Sequence, residues 1–405
     1  MKKMFIPFSV PFIGKEEIDS VVDTLRSGWL TTGPKTRQFE ADFAAYIGCK
    51  HAIAVNSCTA ALHLAMDAVG VGKGDSVLTT PMTFAATAEV IEYMGATPRF
   101  VDIDPGTLNM SPKLLEETLE SMPEEERRKV KAVIPVHMAG QPCDMDPITE
   151  TARRYGLKVV EDAAHTMPAR YKGRMVGTMS GITCFSFYPT KCITTGEGGM
   201  VTTDDDEYAD RMRVMSLHGI SRGAWNRYSK EGSWYYEVLE PGFKYNLPDV
   251  LSAIGIGQLR RSEELLELRM RHAEIYNQAF KDMPGIELPE ISPDVEHSWH
   301  LYIIKLNLEM LCIDRGQFIE ELRERGVLAS VHFIPLHIHP YYREKYGYEP
   351  SDFPRADEQY QRMLSLPFYP KMSDEELDYV IETVREILER NYVKQIAETG
   401  SGLAA

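Results

Sequence analysis

Lys191 stands alone in FSFYPTKCITTGEGGMV, residues 185–201, between an apolar, aromatic run and a glycine-rich loop. Its next charged neighbour is Glu197. Such a lysine reads either as a solvated connector or as a reactive amine whose surroundings set its pKa. Three other stretches decide what an amine here could meet. Asp162 follows the apolar start of VVEDAAH, 159–165. A carboxylate there binds a metal, caps a helix, pairs with a cationic ligand or simply orders a loop. Beside a protonated ring nitrogen it would hold that proton firmly. Ala163 and Ala164 are small enough to let a flat ring lie against the backbone. In NSCTAAL, 56–62, Ser57, Cys58 and Thr59 bring free N–H groups and hydroxyls to a helix start. That is a natural phosphate cradle, though an ordinary N-cap uses the same residues. Phe84, in PMTFAAT, opens another helix and could stack on a heterocycle or fill the core. Ser186 could donate to phosphate, and Gly196, Gly198 and Gly199 allow a tight turn beside a ligand.

These residues need elements to position them. Over roughly 51–203, short β-branched runs (HAIAV, DSVLTTP, TPRFVDID, VKAVIPV, LKVVEDAAH, GITCFSFY, GGMVTTD) alternate with helical stretches, apart from the last two, which follow one another. The alternation predicts a mainly parallel sheet covered on both faces. In open α/β sheets ligands sit at the carboxyl ends of strands, where all four stretches fall. After His218 comes an aromatic, loop-like segment containing AWNRYSKEGSWYY, suited either to a nucleobase or diphosphate or to a dimer surface. A helical stretch over 250–280 follows. Then come strand WHLYIIKLN, helix RGQFIEELRERG, strand LASVHFIP and a helix over 373–390 with Ser373 and Glu376 as a capping box. This predicts a smaller α+β domain. The expected divisions are 1–248 for the large domain with its N-terminal segment, 249–392 for the small one, and 393–405 for a disordered tail.

The chain has 405 residues, 43% of them hydrophobic, ample for a buried core. A formal charge of −16 argues against a nucleic-acid face but not against a local phosphate pocket. Apolar runs are too short to span a bilayer. Pro7, Pro11 and Lys15 break up the N-terminus too early for a signal peptide. Six cysteines without a C-x-x-C pair read as reduced thiols in a cytoplasmic protein. No G-x-G-x-x-G follows the first strand, which disfavours a dinucleotide-binding enzyme. His332, His337 and His339 form H-x4-H-x-H, but no acidic or cysteine partner stands nearby, so no metal is expected.

Each stretch alone has a bland reading. Together, an amine, a carboxylate, a stacking aromatic and a phosphate cradle are the four contacts that pyridoxal 5'-phosphate requires. At this point the chain resembles the DegT/DnrJ/EryC1/StrS sugar aminotransferases, a branch of the fold-type I pyridoxal phosphate enzymes. The resemblance is carried, in order and over nearly the whole length, by GWLTTGP, NSCTAALHLA, TPMTFAATAEV, GATPRFVDID, PVHMAGQPCDMDPI, VVEDAAH, FSFYPTKCITTGEGGMV, GFKYNLPDVLSAIGIGQL, SWHLYI and SVHFIPLHIHPYY. The segment from LHGISRG to KYNLPD is most similar to transaminases forming UDP-4-amino-4-deoxy-L-arabinose and their C4 relatives.

The resemblance implies roles. Lys191 is the Schiff-base lysine and Asp162 the partner of the pyridine nitrogen. Phe84 stacks on the ring, and His165 stands next to the ring hydroxyl. Ser57, Cys58, Thr59, Ala60 and Ser186 surround the phosphate. Asn246 reaches the cofactor of a neighbouring subunit, so a homodimer shares its sites. Trp29, Thr31, Tyr188 and His332 fall on the substrate side. The implied reaction is ping-pong transfer of the amino group of L-glutamate, leaving 2-oxoglutarate, to C4 of a nucleotide-linked keto sugar, with UDP expected. A C3 aminotransferase, an enzyme acting on a non-nucleotide ring, and a non-catalytic sensor of cofactor or sugar nucleotide stay open. Cys58 stands where many relatives have glycine, and Glu89 where some have asparagine. Dehydratases of the family carry histidine at the lysine position, so Lys191 argues against that branch.

Overall fold

The computed structural model describes residues 3–221 and 235–393. Residues 222–234 of the expected aromatic segment and the tail beyond 393 lie outside the described residues. The alternating region builds strands β1 (His51–Val55), β2 (Ser76–Thr79), β3 (Thr97–Phe100), β4 (Val130–Val133), β5 (Lys158–Asp162), the hairpin β6 (Arg170–Tyr171) and β7 (Arg174–Met175), β8 (Ile182–Ser186) and β9 (Gly199–Thr203). Seven of these form one sheet in the order β1-β9-β8-β5-β4-β2-β3. Only β9 runs against its neighbours; the remaining adjacent pairs are parallel. β2 and β9 are buried throughout, as continuous apolar runs covered on two faces should be. Helix Cys58–Ala68 is small and apolar enough to be buried from Ala60 to Met66 against the sheet.

The N-terminal helices Lys15–Ser27 and Pro34–Ile47 pack on helix Asp249–Arg260. Gly33 has no side chain to cap Pro34–Ile47. The buried carboxylate of Asp249 does so instead, accepting the N–H groups of Gly33 (2.7 Å), Lys35 (3.0 Å) and Thr36 (2.9 Å).

The second core surrounds the small sheet of β10 (Ile286–Glu287), β12 (Tyr302–Leu306) and β13 (Met363–Leu366), while β11 (Val295–Glu296) joins the β6–β7 hairpin. Helices Ser262–Phe280, Arg315–Glu324 and Asp374–Asn391 contribute its apolar faces. Two expectations are corrected here. The 250–280 stretch is two helices, Asp249–Arg260 and Ser262–Phe280, divided at Arg261. The first packs with the large sheet's core, and the second runs from that core at Leu265 into the other at Tyr276 and Phe280. LASVHFIP is not a strand. It makes one isolated bridge, Ser330 with Ser365, just after that of Val327 with Ile6, and β13 takes the place beside β12. The segment turns toward the large sheet instead, and Pro335 has no N–H for a ladder. The capping box forms as expected: Ser373 N–H donates to Glu376 (2.8 Å) and Glu376 N–H to Ser373 Oγ (3.2 Å). No helix among the described residues is long and apolar enough to cross a membrane.

Candidate active site

A cavity of about 450 Å³ opens at the carboxyl ends of the parallel strands, within the range usual for small-molecule sites. β5 brings Asp162 to its wall and β8 brings Ser186. The turn after β8 brings Tyr188 and Lys191, with Lys191 N–H donating to Tyr188 O at 2.9 Å. The link from β1 to helix Cys58–Ala68 adds Ser57, Cys58 and Thr59. Phe84 precedes helix Ala85–Tyr93, and His332 comes from the segment expected to be a strand.

Asp162 is buried, 4% exposed, and both its oxygens are held. Thr87 donates to Oδ2 at 2.7 Å and the Ala164 N–H to Oδ1 at 3.1 Å. Burial raises its pKa, while those two hydrogen bonds and the charge of Lys191 pull it back. A cationic ring nitrogen in the cavity would supply the compensation this carboxylate lacks. Burial likewise lowers the pKa of Lys191, against the pull of Cys58 and Asp162. His165 is kept neutral, held far below the usual imidazole value by burial and then by Lys191 and His332. Burial, and then Lys191, pushes His332 down to about 4. Burial raises the Cys58 thiol well above its ordinary value, so it stays uncharged.

Phe84 is 63% exposed at the cavity, which excludes the core-aromatic reading. Its ring lies 6.0 Å from that of Phe333, which stacks on His165 at 5.5 Å. The N-cap reading of Ser57 also holds: its Oγ accepts the Ala60 N–H at 3.1 Å. That bond uses the donor expected for phosphate, and Ala60, 2% exposed, does not line the cavity. Trp29, Thr31 and Asn246 do not line it either. The Trp29 indole donates to Thr32 O (3.2 Å), the Thr31 carbonyl accepts from Asp249 N–H (3.3 Å), and Asn246 Nδ2 donates to Thr32 Oγ1 (2.6 Å). Reasoning from sequence missed Thr87, His300 and Phe333. The position of Thr87, three residues after Phe84, was the available signal; the other two arrive from distant chain. Among the described residues no three histidine, cysteine or acidic side chains converge as a metal site: His332 lies on the cavity, whereas His337 packs on Phe353.

A half-buried lysine and a buried carboxylate share this cavity with a helix N-terminus and an exposed aromatic ring. Placed at the carboxyl end of a mainly parallel α/β sheet, they define the fold-type I class of pyridoxal phosphate-dependent enzymes. The chain belongs to the DegT/DnrJ/EryC1/StrS aminotransferase family, whose profile matches residues 11–385. It is 52% identical over 385 residues to the spore coat polysaccharide biosynthesis protein SpsC of Bacillus subtilis (strain 168), covering 95% of this chain and 97% of that one. The structure is similar to Spr1654, a proposed sugar aminotransferase of Streptococcus pneumoniae, in its PLP form: TM-score 0.87, 35% identity, 96% of this chain and 99% of that one. The same protein is also known in a PMP form. Helicobacter pylori PseC, an aminotransferase involved in the biosynthesis of pseudoaminic acid, matches with TM-score 0.88 and 28% identity over 96% of this chain and all of that one.

Proposed function

We propose that this sugar aminotransferase moves the amino group of L-glutamate to C4 of a UDP-linked keto sugar, in a ping-pong reaction. The observation that carries the reading is that Lys191, Asp162, Phe84 and the Ser57–Cys58–Thr59 helix start line one cavity. The residues fit pyridoxal 5'-phosphate: Asp162 would hold the ring nitrogen, Phe84 the ring face, His165 the ring hydroxyl, and Ser57, Cys58, Thr59 and Ser186 the phosphate. When bound, the cofactor supplies an aldehyde for covalent attachment and an electron-withdrawing ring. Lys191 anchors it between turnovers and carries the proton at the donor's α-carbon, a task that suits an amine whose pKa burial has lowered. Asp162, held by Thr87 and Ala164, keeps the ring nitrogen protonated. Tyr188, 48% exposed, and His332 stand on the substrate side. Asn246 serves a second copy's cofactor, a reading supported by its absence from this chain's own cavity wall.

The C4 assignment is supported by resemblance in the 218–248 segment, and UDP by the same likeness. The test is a two-stage assay. L-Glutamate alone should convert the cofactor absorbance to that of the pyridoxamine form, and a panel of UDP-linked 4-keto and 3-keto sugars should then restore it with the 4-keto set. Restoration by 3-keto sugars alone would contradict the position. Absence of any glutamate half-reaction would favour a binding role.

A further inference from the structure

Glu161 and His137 are fully buried, and neither lines the cavity. Successive strand residues point to opposite faces, so Glu161 lies on the side of β5 away from Asp162. The backbone N–H of Cys143 donates to His137 Nδ1 at 3.0 Å. A backbone N–H can only donate, so the ring proton sits on Nε2. That Nε2–H donates to Glu161 Oε2 at 2.8 Å, and Thr183 donates to Oε1 at 3.1 Å. The carboxylate thus has a donor on each oxygen but a neutral ring as its partner. Packed apolar side chains of similar size would avoid that desolvation cost.

The loop that carries His137 holds the site at three places. His137 N–H donates to Asp162 O (3.1 Å) and Asp162 N–H to Pro135 O (2.9 Å), gripping the end of β5. Ala139 N–H donates to His165 Nδ1 at 3.2 Å, which leaves Nε2 of that ring as the proton carrier. Ala139 O accepts the N–H of Leu301 (3.1 Å) and Gly140 O that of Ser298 (3.0 Å), on either side of His300. The loop's shape is specific: Ala139 and Gly140 have φ of +58° and +109°. A Cβ on Gly140 would come within 2.6 Å of Ser298 Oγ and 2.8 Å of His300 N.

We propose that His137 and Glu161 are positioning residues: their hydrogen bond fastens this loop to β5 and thereby aims Asp162 and the Nε2–H of His165 at the cofactor. The inference rests on the reading of Asp162 and His165 as cofactor contacts. Glu161→Gln, His137→Leu, His137→Gln and, as a control in the second core, Leu388→Ala test it. The readouts are cofactor affinity, by titrating pyridoxal phosphate into the resolved apoenzyme, together with the kcat and KM of the glutamate half-reaction and Tm. Glu161→Gln and His137→Leu should each weaken cofactor binding and lower kcat by about tenfold, with KM for glutamate within about twofold. The double variant should be no worse than the poorer single one. His137→Gln, which keeps an N–H for Glu161, should recover most of the affinity. Leu388→Ala should lower Tm and leave affinity unchanged. If Glu161→Gln shifts only Tm, as the control does, the proposal is overturned. Should those variants not fold, Thr183→Val removes one donor to Glu161 alone, and unchanged affinity there overturns it too. If wild-type protein fails to bind pyridoxal phosphate, the cofactor reading falls and takes this inference with it; normal wild-type binding with unaffected variants removes the inference alone.

Discussion

The cavity end of the large sheet and the second core around β12 and β13 are built on opposite terms. At the cavity, ionisable groups are buried with few partners. Asp162 has two hydrogen bonds, and the buried Nδ1 of His300 has none among the described residues. In the second core Phe318, Leu322, Leu364, Leu366, Val384 and Leu388 are sealed from solvent. Of the polar groups there, Tyr276 donates to Pro367 O (3.0 Å) and Tyr302 to Asn277 (2.7 Å), while the buried Nδ1 of His272, packed on Phe368, has no partner among the described residues. Buried polar groups without full partners lower stability, and packed apolar ones raise it. One region holds chemistry at the expense of stability, and the other keeps the chain folded around it. Substitutions in the two should therefore separate activity from stability.

The largest separation is expected at Lys191. Lys191→Ala should lower turnover by at least about 10³-fold, the range of positioned acid–base catalysis, with apoenzyme Tm held or slightly raised because a partly desolvated amine is gone. Turnover assays and thermal melts on the same preparation check both halves. Near-normal turnover would remove the distinction between the regions. The converse is Leu388→Ala, which should cost about 2–5 kcal/mol in denaturant titration and leave kcat of the folded fraction unchanged.

A smaller effect is expected from pH. Burial depresses His332 to about 4 from an ordinary 6.5. Burial also depresses His272 to about 4 and His297 to about 3. In each case the unfolded chain binds the proton more readily than the folded one. The neutral rings' contribution is therefore complete above about pH 6.5 and is lost as pH falls toward 4. Tm should drop over that window, and His332→Gln should flatten part of the drop. An unchanged slope would mean that His332 is more solvated than its burial implies. The smallest effect belongs to Ser373→Ala at the far end of the second core, about 1 kcal/mol for a lost cap, with no change in activity.

The sequence made the chemistry more legible than the assembly around it. The alternation from HAIAV to GGMVTTD contained the seven strands, because strands covered on both faces are mostly apolar. Lys191, Asp162, Phe84 and Ser57 were readable because each follows a strand, where such sheets place ligands. His300 and Phe333 were not, since they reach the cavity from chain more than 100 residues beyond Lys191, and no local pattern records that approach. LASVHFIP looked like a strand because β-branched and aromatic residues also suit a segment that lines a cavity. β13, Met363–Leu366 in RMLSLPF, was not legible because it continues directly from helix Pro354–Arg362 with no turn residue between them. The break at Arg261 was not legible, because leucines at helical spacing continue across it, with Leu259 before and Leu265 after in the same core. Ala60 could not be separated from its neighbours by sequence, because only the folded cap shows that its N–H is taken by Ser57.

The account turns on Lys191 as the residue that binds the cofactor covalently. The direct measurement is borohydride reduction of the pyridoxal phosphate-loaded protein, followed by proteolysis and mass spectrometry of the peptides. A single pyridoxyl adduct on Lys191, absent when L-glutamate is added before reduction, is the expected result. An adduct on another lysine, or none despite saturating cofactor, would contradict it.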